Sequence, residues 1–251
     1  MTALLCLMFA AAAQPDPDFD AFFAEFAKRR DGVQTLEAKF TQEQITPEDP
    51  KPEKKTGTIT YVKPRRILFQ YDDPKVTYLV DGQRVYEYNI KAEQLQILDL
   101  ENDPQTEAFF LGFDDNTERL KQAYDIKQFT PDPKDCGAKG LDLAPKHFAD
   151  DLAKKERKYF EEVRISLDGD RYLPCHVDIN YDKETRTQIS ITDIKVNSAT
   201  APKDLTIEVP ERTAVIENDN KLADVGPGGA KFPRPADAKP PTISTQELKT
   251  P

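Results

Sequence analysis

Hydrophobic and polar residues alternate along this chain with two different periods. Near the start, Phe19, Phe22, Phe23 and Phe26 recur at the spacing i, i+3, i+4 and i+7, which predicts an amphipathic helix of about four turns. Basic residues occupy its last turn, where they complement the helix dipole, and Gly32 follows as a stop signal. After this helix the period changes to two, which predicts strands with one buried face.

Short predicted strands make up most of the remaining chain. The strongest turn signal is Asp81-Gly82, which predicts a hairpin between strands that end at Val80 and begin at Val85. The apolar residues change phase near Asp193, so we expect a bulge there. Two short helices are also expected, over 104–111 and 117–124. The predicted strands cover 36–41, 58–62, 66–71, 77–80, 85–88, 95–97, 126–129, 141–143, 163–167, 173–181, 187–196 and 205–209.

This order of elements predicts one domain of the α+β class that is mainly β. A large antiparallel sheet must curl, so we expect an unclosed β-barrel of about eleven strands. The short helices then form a lid over its concave face. We place this half-barrel domain at residues 14–216.

The two ends of the chain have a different composition. Residues 1–13 form a short apolar run that ends in small residues, which predicts a signal peptide and export; a buried first helix is the alternative. Residues 217–251 are rich in Pro, Gly and Ala without periodicity, which predicts a disordered tail. If the signal peptide is removed, Cys136 and Cys175 remain. They either form a disulfide or stay as two unpaired buried thiols.

Composition excludes several classes of function. The 35 basic and 45 acidic residues give a formal net charge of −10, which argues against binding to nucleic acid or anionic membranes. Two histidines and three cysteines leave little material for a metal site. Motifs of hydrolases, phosphate-binding loops and metalloproteases are absent from the sequence. We therefore predict no catalytic residues, no metal and no cofactor.

The more informative feature is a set of apolar residues in the same phase of consecutive strands. We interpret this set as the wall of a lipid-binding cavity, with an ordinary filled core as the alternative. The cavity candidates are Ile59, Tyr61, Ile67, Phe69, Tyr71, Tyr86, Tyr88, Leu95 and Ile97. The lid candidates, from the predicted helices, are Phe22, Phe26, Phe109, Phe110 and Leu111.

Several segments resemble one protein family in the same order along the chain. Residues 33–42 resemble its first strand, 57–71 its basic-proline pair and aromatic strand, 80–88 its Asp-Gly hairpin, 104–112 its second helix and 205–210 its closing strand. The family is that of the periplasmic outer-membrane lipoprotein carriers, the LolA family.

The resemblance implies a function as well as a fold. It implies a periplasmic monomer that holds lipoprotein acyl chains in its cavity. Such a carrier receives lipoproteins from an inner-membrane ABC transporter and passes them to an outer-membrane acceptor. Lys63 stands where the family often has an arginine tied to lid closure, so it is the lid-closure candidate, and Phe69 stands where tryptophan is common.

Two other functions stay open on the sequence alone. The same fold could serve as a non-transporting module that binds another lipid or senses envelope stress, since a fold does not fix a function. An enzyme is the third possibility.

Overall fold

The computed structural model describes residues 17–99, 110, 113, 117–132, 135–146, 160–202, 204–218 and 220–233. The predicted signal peptide, most of the predicted helix 104–111 and the end of the chain lie outside the described residues. The helices are α1 (Pro17–Asp31) and α2 (Thr117–Ala123). Neither they nor any other described helix is long and apolar enough to cross a membrane.

The structure describes more strands than the sequence predicts. They are β1 (Thr35–Thr46), β2 (Asp49–Val62), β3 (Arg66–Tyr71), β4 (Val76–Val80), β5 (Arg84–Asn89), β6 (Gln94–Asp99), β7 (Tyr124–Phe129), β8 (Lys139–Pro145), β9 (Glu162–Leu167), β10 (Pro174–Asn180), β11 (Arg186–Val196), β12 (Ile207–Val209), β13 (Ala214–Glu217), β14 (Asn220–Asp224) and β15 (Ala230–Phe232).

Thirteen of these strands form one sheet in the order β14-β13-β6-β5-β4-β3-β2-β1-β11-β10-β9-β8-β7. Neighbouring strands are antiparallel except β13 and β6, which are parallel. The two ends of the sheet, β14 and β7, are not paired with each other, so the large sheet stays open as predicted. Strands β12 and β15 form a separate antiparallel pair.

Register places the apolar residues of successive strands on one continuous inner face, defined as the face that contacts α1 and Phe110. Tyr61 pairs with Leu36 across β1 and β2, and Phe40 pairs with Ile191 across β1 and β11. The predicted bulge occurs on β11, where Asp193 adopts a positive φ of 54° and the register shifts opposite β1. The bulge restores the inward phase of the residues that follow it.

The outer face of the sheet differs between its two halves. Over β8 to β11 it carries polar side chains joined across strands, such as Arg164 with Asp142 and Gln188 with Asp178. Over β3 to β6 it is apolar and has to be covered, because buried apolar area is the main driving force of folding.

The cover of that apolar outer face is a C-terminal strap, formed by residues 204–218 and 220–233. Its buried residues Leu205, Val209, Val225 and Phe232 pack on the outer face of β3 to β6. The prediction that the chain is disordered from residue 217 is therefore wrong as far as residue 233, because the strap contains β14 and β15. In the sequence, Gly and Pro interrupt its apolar residues, so neither a helical nor a strand period is visible.

The charged, proline-rich segment 47–55 lies between two predicted strands, where a loop is expected, but most of it belongs to β2. Strand β2 begins at Asp49 and pairs with β1 from the tip of the hairpin onwards. On its other side, β2 pairs with β3 only through residues 57–62. The β2 prolines before residue 57 therefore lie on an edge, where their missing N–H groups are tolerated.

Candidate functional site

The inner face of the sheet carries two adjoining hydrophobic clusters. Over β7 to β10, strand residues such as Leu143 and Ile165 pack against Phe22 and Phe26 of α1. Over β1 to β5, residues such as Leu36 and Ile67 pack against Phe110 and Phe113. Val177 packs against both clusters, so the inner face is continuous from one to the other.

Only part of the predicted cavity wall lies on this inner face. Ile59, Tyr61 and Ile67 are buried there, and Phe69 and Tyr71 are half-buried there.

The other four predicted wall residues, Tyr86, Tyr88, Leu95 and Ile97, lie on the outer face beneath the C-terminal strap, so for them the prediction of a single face is wrong. The reason is the register of the β4–β5 hairpin. Val80 pairs with Val85, so it is Val85 and not Tyr86 that continues the inner face.

Several other inner-face residues are not among the predicted wall residues. Tyr78, Val80 and Val85 belong to the inner cluster, as does Phe40. The length of the Asp81-Gly82 turn could have indicated the first three, because it places Val80 opposite Val85, and residues that lie opposite each other on paired strands share one face of the sheet.

Four aromatic side chains form a shelf where the inner face becomes accessible. The aromatic shelf consists of Phe40, Phe69, Tyr71 and Tyr78, with Phe40 packed edge-on against Phe69 and Tyr71 at centroid distances of 6.2 and 4.9 Å. Phe40 is buried, whereas the other three rings are half-buried. Gly57 lies beneath Phe40, and a Cβ there would come within 2.7 Å of the ring. The shelf is therefore a partly open apolar surface with a tightly packed base.

The tyrosines of the shelf are neutral hydrogen-bonding groups. Burial raises the pKa of Tyr71 well above its usual range, with smaller contributions from Tyr78 and Tyr181. Burial, and then the nearby carboxylate of Glu87, raise the pKa of Tyr78 to about 12. The Tyr71 hydroxyl donates a hydrogen bond to Oε1 of Gln42 at 2.6 Å. The shelf can thus hold apolar chains and offers polar groups only at its edge.

The helix α1 is fixed over its half of the inner face. The guanidinium of Arg29 donates to the carbonyl oxygens of Gly169 and Asp170 at 2.7 and 2.6 Å and lies 4.3 Å above the Tyr172 ring. Arg30 is buried and donates to the carbonyl oxygen of Tyr172. Phe22 stacks on the same Tyr172 ring. The predicted lid residues Phe22 and Phe26 are therefore core residues of a clamped helix.

The cover over the other half has a different set of contacts. Phe113 stacks on Tyr61 at 6.1 Å, and the guanidinium of Arg65 lies 4.3 Å above the Phe110 ring. Phe109 and Leu111, the remaining lid candidates, lie outside the described residues. Arg65 was missed by the sequence analysis, which favoured Lys63; the Lys63 backbone N–H donates to the carbonyl oxygen of Gln34. Arg65 is thus placed on a lid aromatic, and Lys63 remains the candidate that the family resemblance indicates.

Cys136 and Cys175 form a disulfide that ties the loop before β8 to the start of β10. It spans a sequence separation of 39 residues with a Cα–Cα distance of 6.0 Å. The sequence left open a disulfide or two unpaired thiols, and the structure contains the disulfide.

His176 lies on the outer face, away from the inner clusters. Its Nε2 is 3.2 Å from the Asp178 carboxylate, and its Nδ1 is 3.3 Å from the Ser190 hydroxyl. The hydrogen bond with Asp178 raises the pKa of His176 although burial opposes it. In the described part of the chain, no group of three or more His, Cys, Asp or Glu side chains is arranged to hold a metal ion.

Comparison with known proteins finds one matching family. A family model described as outer membrane lipoprotein carrier protein LolA matches residues 31–208. No curated protein matches the chain at a significant level.

Several solved structures are similar to the chain at low sequence identity. An uncharacterized conserved protein from Thermus thermophilus is 10% identical, with a TM-score of 0.47, and the match covers 80% of this chain and 99% of that one. A LolA superfamily protein from Nitrosomonas europaea is 8% identical, with a TM-score of 0.37 and coverages of 71% and 93%. The lipoprotein LppX from Mycobacterium tuberculosis is 9% identical, with a TM-score of 0.38 and coverages of 74% and 100%.

Proposed function

The chain belongs to the outer membrane lipoprotein carrier protein LolA family, and on this premise we propose that it carries the acyl chains of lipoproteins on the inner face of its sheet. The observation that carries the proposal is the half-buried aromatic shelf beside Phe110 and Phe113. Because these rings are not fully buried, they leave apolar surface that a ligand can cover. We therefore propose that the shelf is the binding surface and that the buried residues beneath it form its base.

The energetics of acyl-chain transfer suit a surface of this kind. Removing a methylene group from water is worth about 0.8 kcal/mol, so a long chain is held firmly against release into water. Compared with a bilayer the gain is close to zero, because lipid is equally apolar. Loading from a membrane therefore needs work from a donor, and unloading needs only an apolar acceptor. We propose an inner-membrane ABC transporter as the donor and an outer-membrane component as the acceptor.

Two features support a periplasmic location for this function. Structural disulfides persist in oxidising compartments such as the periplasm, and the Cys136–Cys175 bridge fits that setting. The formal net charge of −10 would help a loaded carrier leave an anionic membrane surface. We propose that the protein acts there as a monomeric carrier without catalysis.

The proposal is tested by a release assay with inner-membrane vesicles. The purified protein is added to vesicles that contain the transporter, ATP and a labelled triacylated lipoprotein, and the soluble complex is measured. We expect ATP-dependent release, with acyl chains found by mass spectrometry in the isolated complex. A protein that releases nothing, yet co-purifies with another lipid, would instead support the non-transporting lipid-binding or stress-sensing module. A protein that binds no lipid at all would contradict both.

A further inference from the structure

On β1 and β2 the inner face changes from apolar to polar at one level. On β1 the inner-facing residue after Phe40 is Gln42, and on β2 the inner-facing residue before Gly57 is Lys55. Gln42 pairs with Lys55 on one side and with Ile189 of β11 on the other. A ligand whose chain lies along the shelf would therefore have its polar part at the level of Gln42.

The Gln42 side chain is held in place at this boundary. Its Oε1 accepts the hydrogen bond of the Tyr71 hydroxyl, and the Tyr71 ring is itself packed against Phe40 and Tyr78. Because burial raises the pKa of Tyr71, its hydroxyl stays protonated and remains a hydrogen-bond donor over the whole physiological pH range. Among the described residues, no group accepts a hydrogen bond from the Gln42 amide nitrogen. Both of its N–H donors are thus available at the edge of the aromatic shelf.

The charge at this level favours a neutral partner for those donors. Lys55 is the cation nearest in register to Gln42, and its Nζ lies 3.3 Å from a carboxylate oxygen of Glu53. An anionic head group would have to replace that carboxylate. A neutral carbonyl oxygen can accept from Gln42 without disturbing the ion pair.

We propose that Gln42, oriented by Tyr71, recognises the ester or amide carbonyl that joins an acyl chain to its lipid. The inference rests on the proposed acyl-binding function and adds a specificity to it. The apolar shelf binds any chain of suitable length, whereas Gln42 selects chains that begin with a carbonyl group. Gln42 is in this sense a specificity-determining residue, and Tyr71 is its positioning residue.

The test compares two ligands that differ only in this carbonyl group. Monopalmitoylglycerol and its ether analogue, hexadecylglycerol, compete with the apolar fluorescent probe N-phenyl-naphthylamine for the purified full chain. We expect the ester to compete about three- to tenfold better than the ether, which is the range of one net hydrogen bond. The Gln42→Leu variant should lose this preference, so that the ester and the ether compete equally well.

Gln44 offers a matched control, because it is the next inner-facing glutamine on β1 and lies beyond the shelf. Gln44→Leu should keep the full preference for the ester. Tyr71→Phe removes the hydroxyl but keeps the ring, so it should reduce the preference even if Gln42→Leu folds poorly.

Equal competition by the ester and the ether in the wild-type protein, with clear binding of both, would overturn the role of Gln42. It would leave the acyl-binding function intact. If neither ligand displaces the probe, the acyl-binding function itself is contradicted. A preference that survives in both Gln42→Leu and Tyr71→Phe would also overturn the proposal.

Discussion

Leu79 and Tyr86 face each other across the β4–β5 hairpin, and both are almost completely buried, at 0% and 4% exposure. Their common face is the outer one, beneath the C-terminal strap, where the Tyr86 ring contacts Phe232 at a centroid distance of 6.4 Å. This pairing separates the aromatic residues into two sets. Phe69 and its neighbours lie on the inner face, which we propose as the binding surface, whereas Tyr86 and its neighbours belong to a second core.

Phe69→Glu and Tyr86→Glu should therefore have opposite effects. Phe69 is half-buried on the shelf, so a carboxylate there should stay hydrated, leave the fold stable and lower acyl-chain binding by about tenfold or more. Tyr86→Glu places a carboxylate in a covered core and should lower the free energy of unfolding by about 3 kcal/mol or more. Probe binding and urea unfolding measure the two effects. If Tyr86→Glu folds normally but binds no lipid, the outer position of Tyr86 is not the one used in solution.

The C-terminal strap should be required for folding. A chain that stops after Glu217 loses Val225 and Phe232 from the outer core, and their burial is worth about 3–6 kcal/mol together. We expect this truncation to be unfolded or strongly destabilised by circular dichroism and thermal unfolding. A chain that stops after Pro233 keeps all described strap residues and serves as the control, with an unchanged melting temperature. Equal stability of the two truncations would contradict the structural role of the strap.

Arg65 should control the exchange of bound lipid, because its guanidinium contacts Phe110 of the cover. A cation–π contact of about 0.5–2 kcal/mol corresponds to about a 2- to 30-fold faster release when it is removed. We expect this acceleration in Arg65→Gln, measured as the dissociation rate of a fluorescent acyl probe. Lys63→Gln is the comparison variant, and we expect the acceleration in Arg65→Gln to be the larger of the two because of the contact with Phe110. The reverse order of the two variants would favour Lys63, the residue that the family resemblance indicates.

The disulfide should contribute substantially to stability. A cross-link over 39 residues lowers the entropy of the unfolded chain, which corresponds to about 4 kcal/mol of stability. Disulfides typically stabilise proteins by about 2–4 kcal/mol. The Cys136→Ser, Cys175→Ser double variant should therefore unfold at a lower guanidinium concentration. A reductant should destabilise the wild type and leave the double variant unaffected. An unchanged midpoint in the double variant would show that the bridge stabilises nothing.

The pair His176 and Asp178 should give a weak pH dependence of stability. The pKa of His176 is raised by its hydrogen bond with Asp178, so its contribution is present below the usual histidine pKa of about 6.5 and is lost as the pH rises through the raised value. Burial raises the pKa of Asp178, but hydrogen bonds from His176 and Gln188 outweigh it and lower the pKa. The contribution of Asp178 is therefore present above the usual aspartate pKa of about 4 and is lost below it.

The stabilisation from this pair should thus be largest between about pH 4 and about pH 6.5. Because both side chains are partly exposed, we expect less than about 1 kcal/mol. Thermal unfolding of the wild type and of His176→Asn across this range measures it, and the difference should shrink towards about pH 9. A difference that grows with pH would mean that the neutral imidazole is the stabilising form.

Local patterns were sufficient to predict much of this protein. The period of 3.6 defined α1, because Phe19 to Phe26 place four rings on one side of a helix. Alternation defined most strands, and Asp81-Gly82 defined the β4–β5 turn. The resemblance of short motifs in order indicated the family, which the family model then matched over residues 31–208. These features depend on neighbours in the chain, so they are visible in the sequence.

The assignment of faces needed the tertiary structure. Alternation shows that Tyr86 and Tyr88 share a face, but only the pairing of Val80 with Val85 shows which face it is. The strap residues Val225 and Phe232 have no period of their own, since they gain their order from a surface that is distant in sequence. The contact of Arg65 with Phe110 and the hydrogen bond of Tyr71 with Gln42 also join distant segments. The sequence by itself determined the elements and the family. Long-range register decided which side chains lie on the proposed binding face, because a face acquires its identity only from what packs against it.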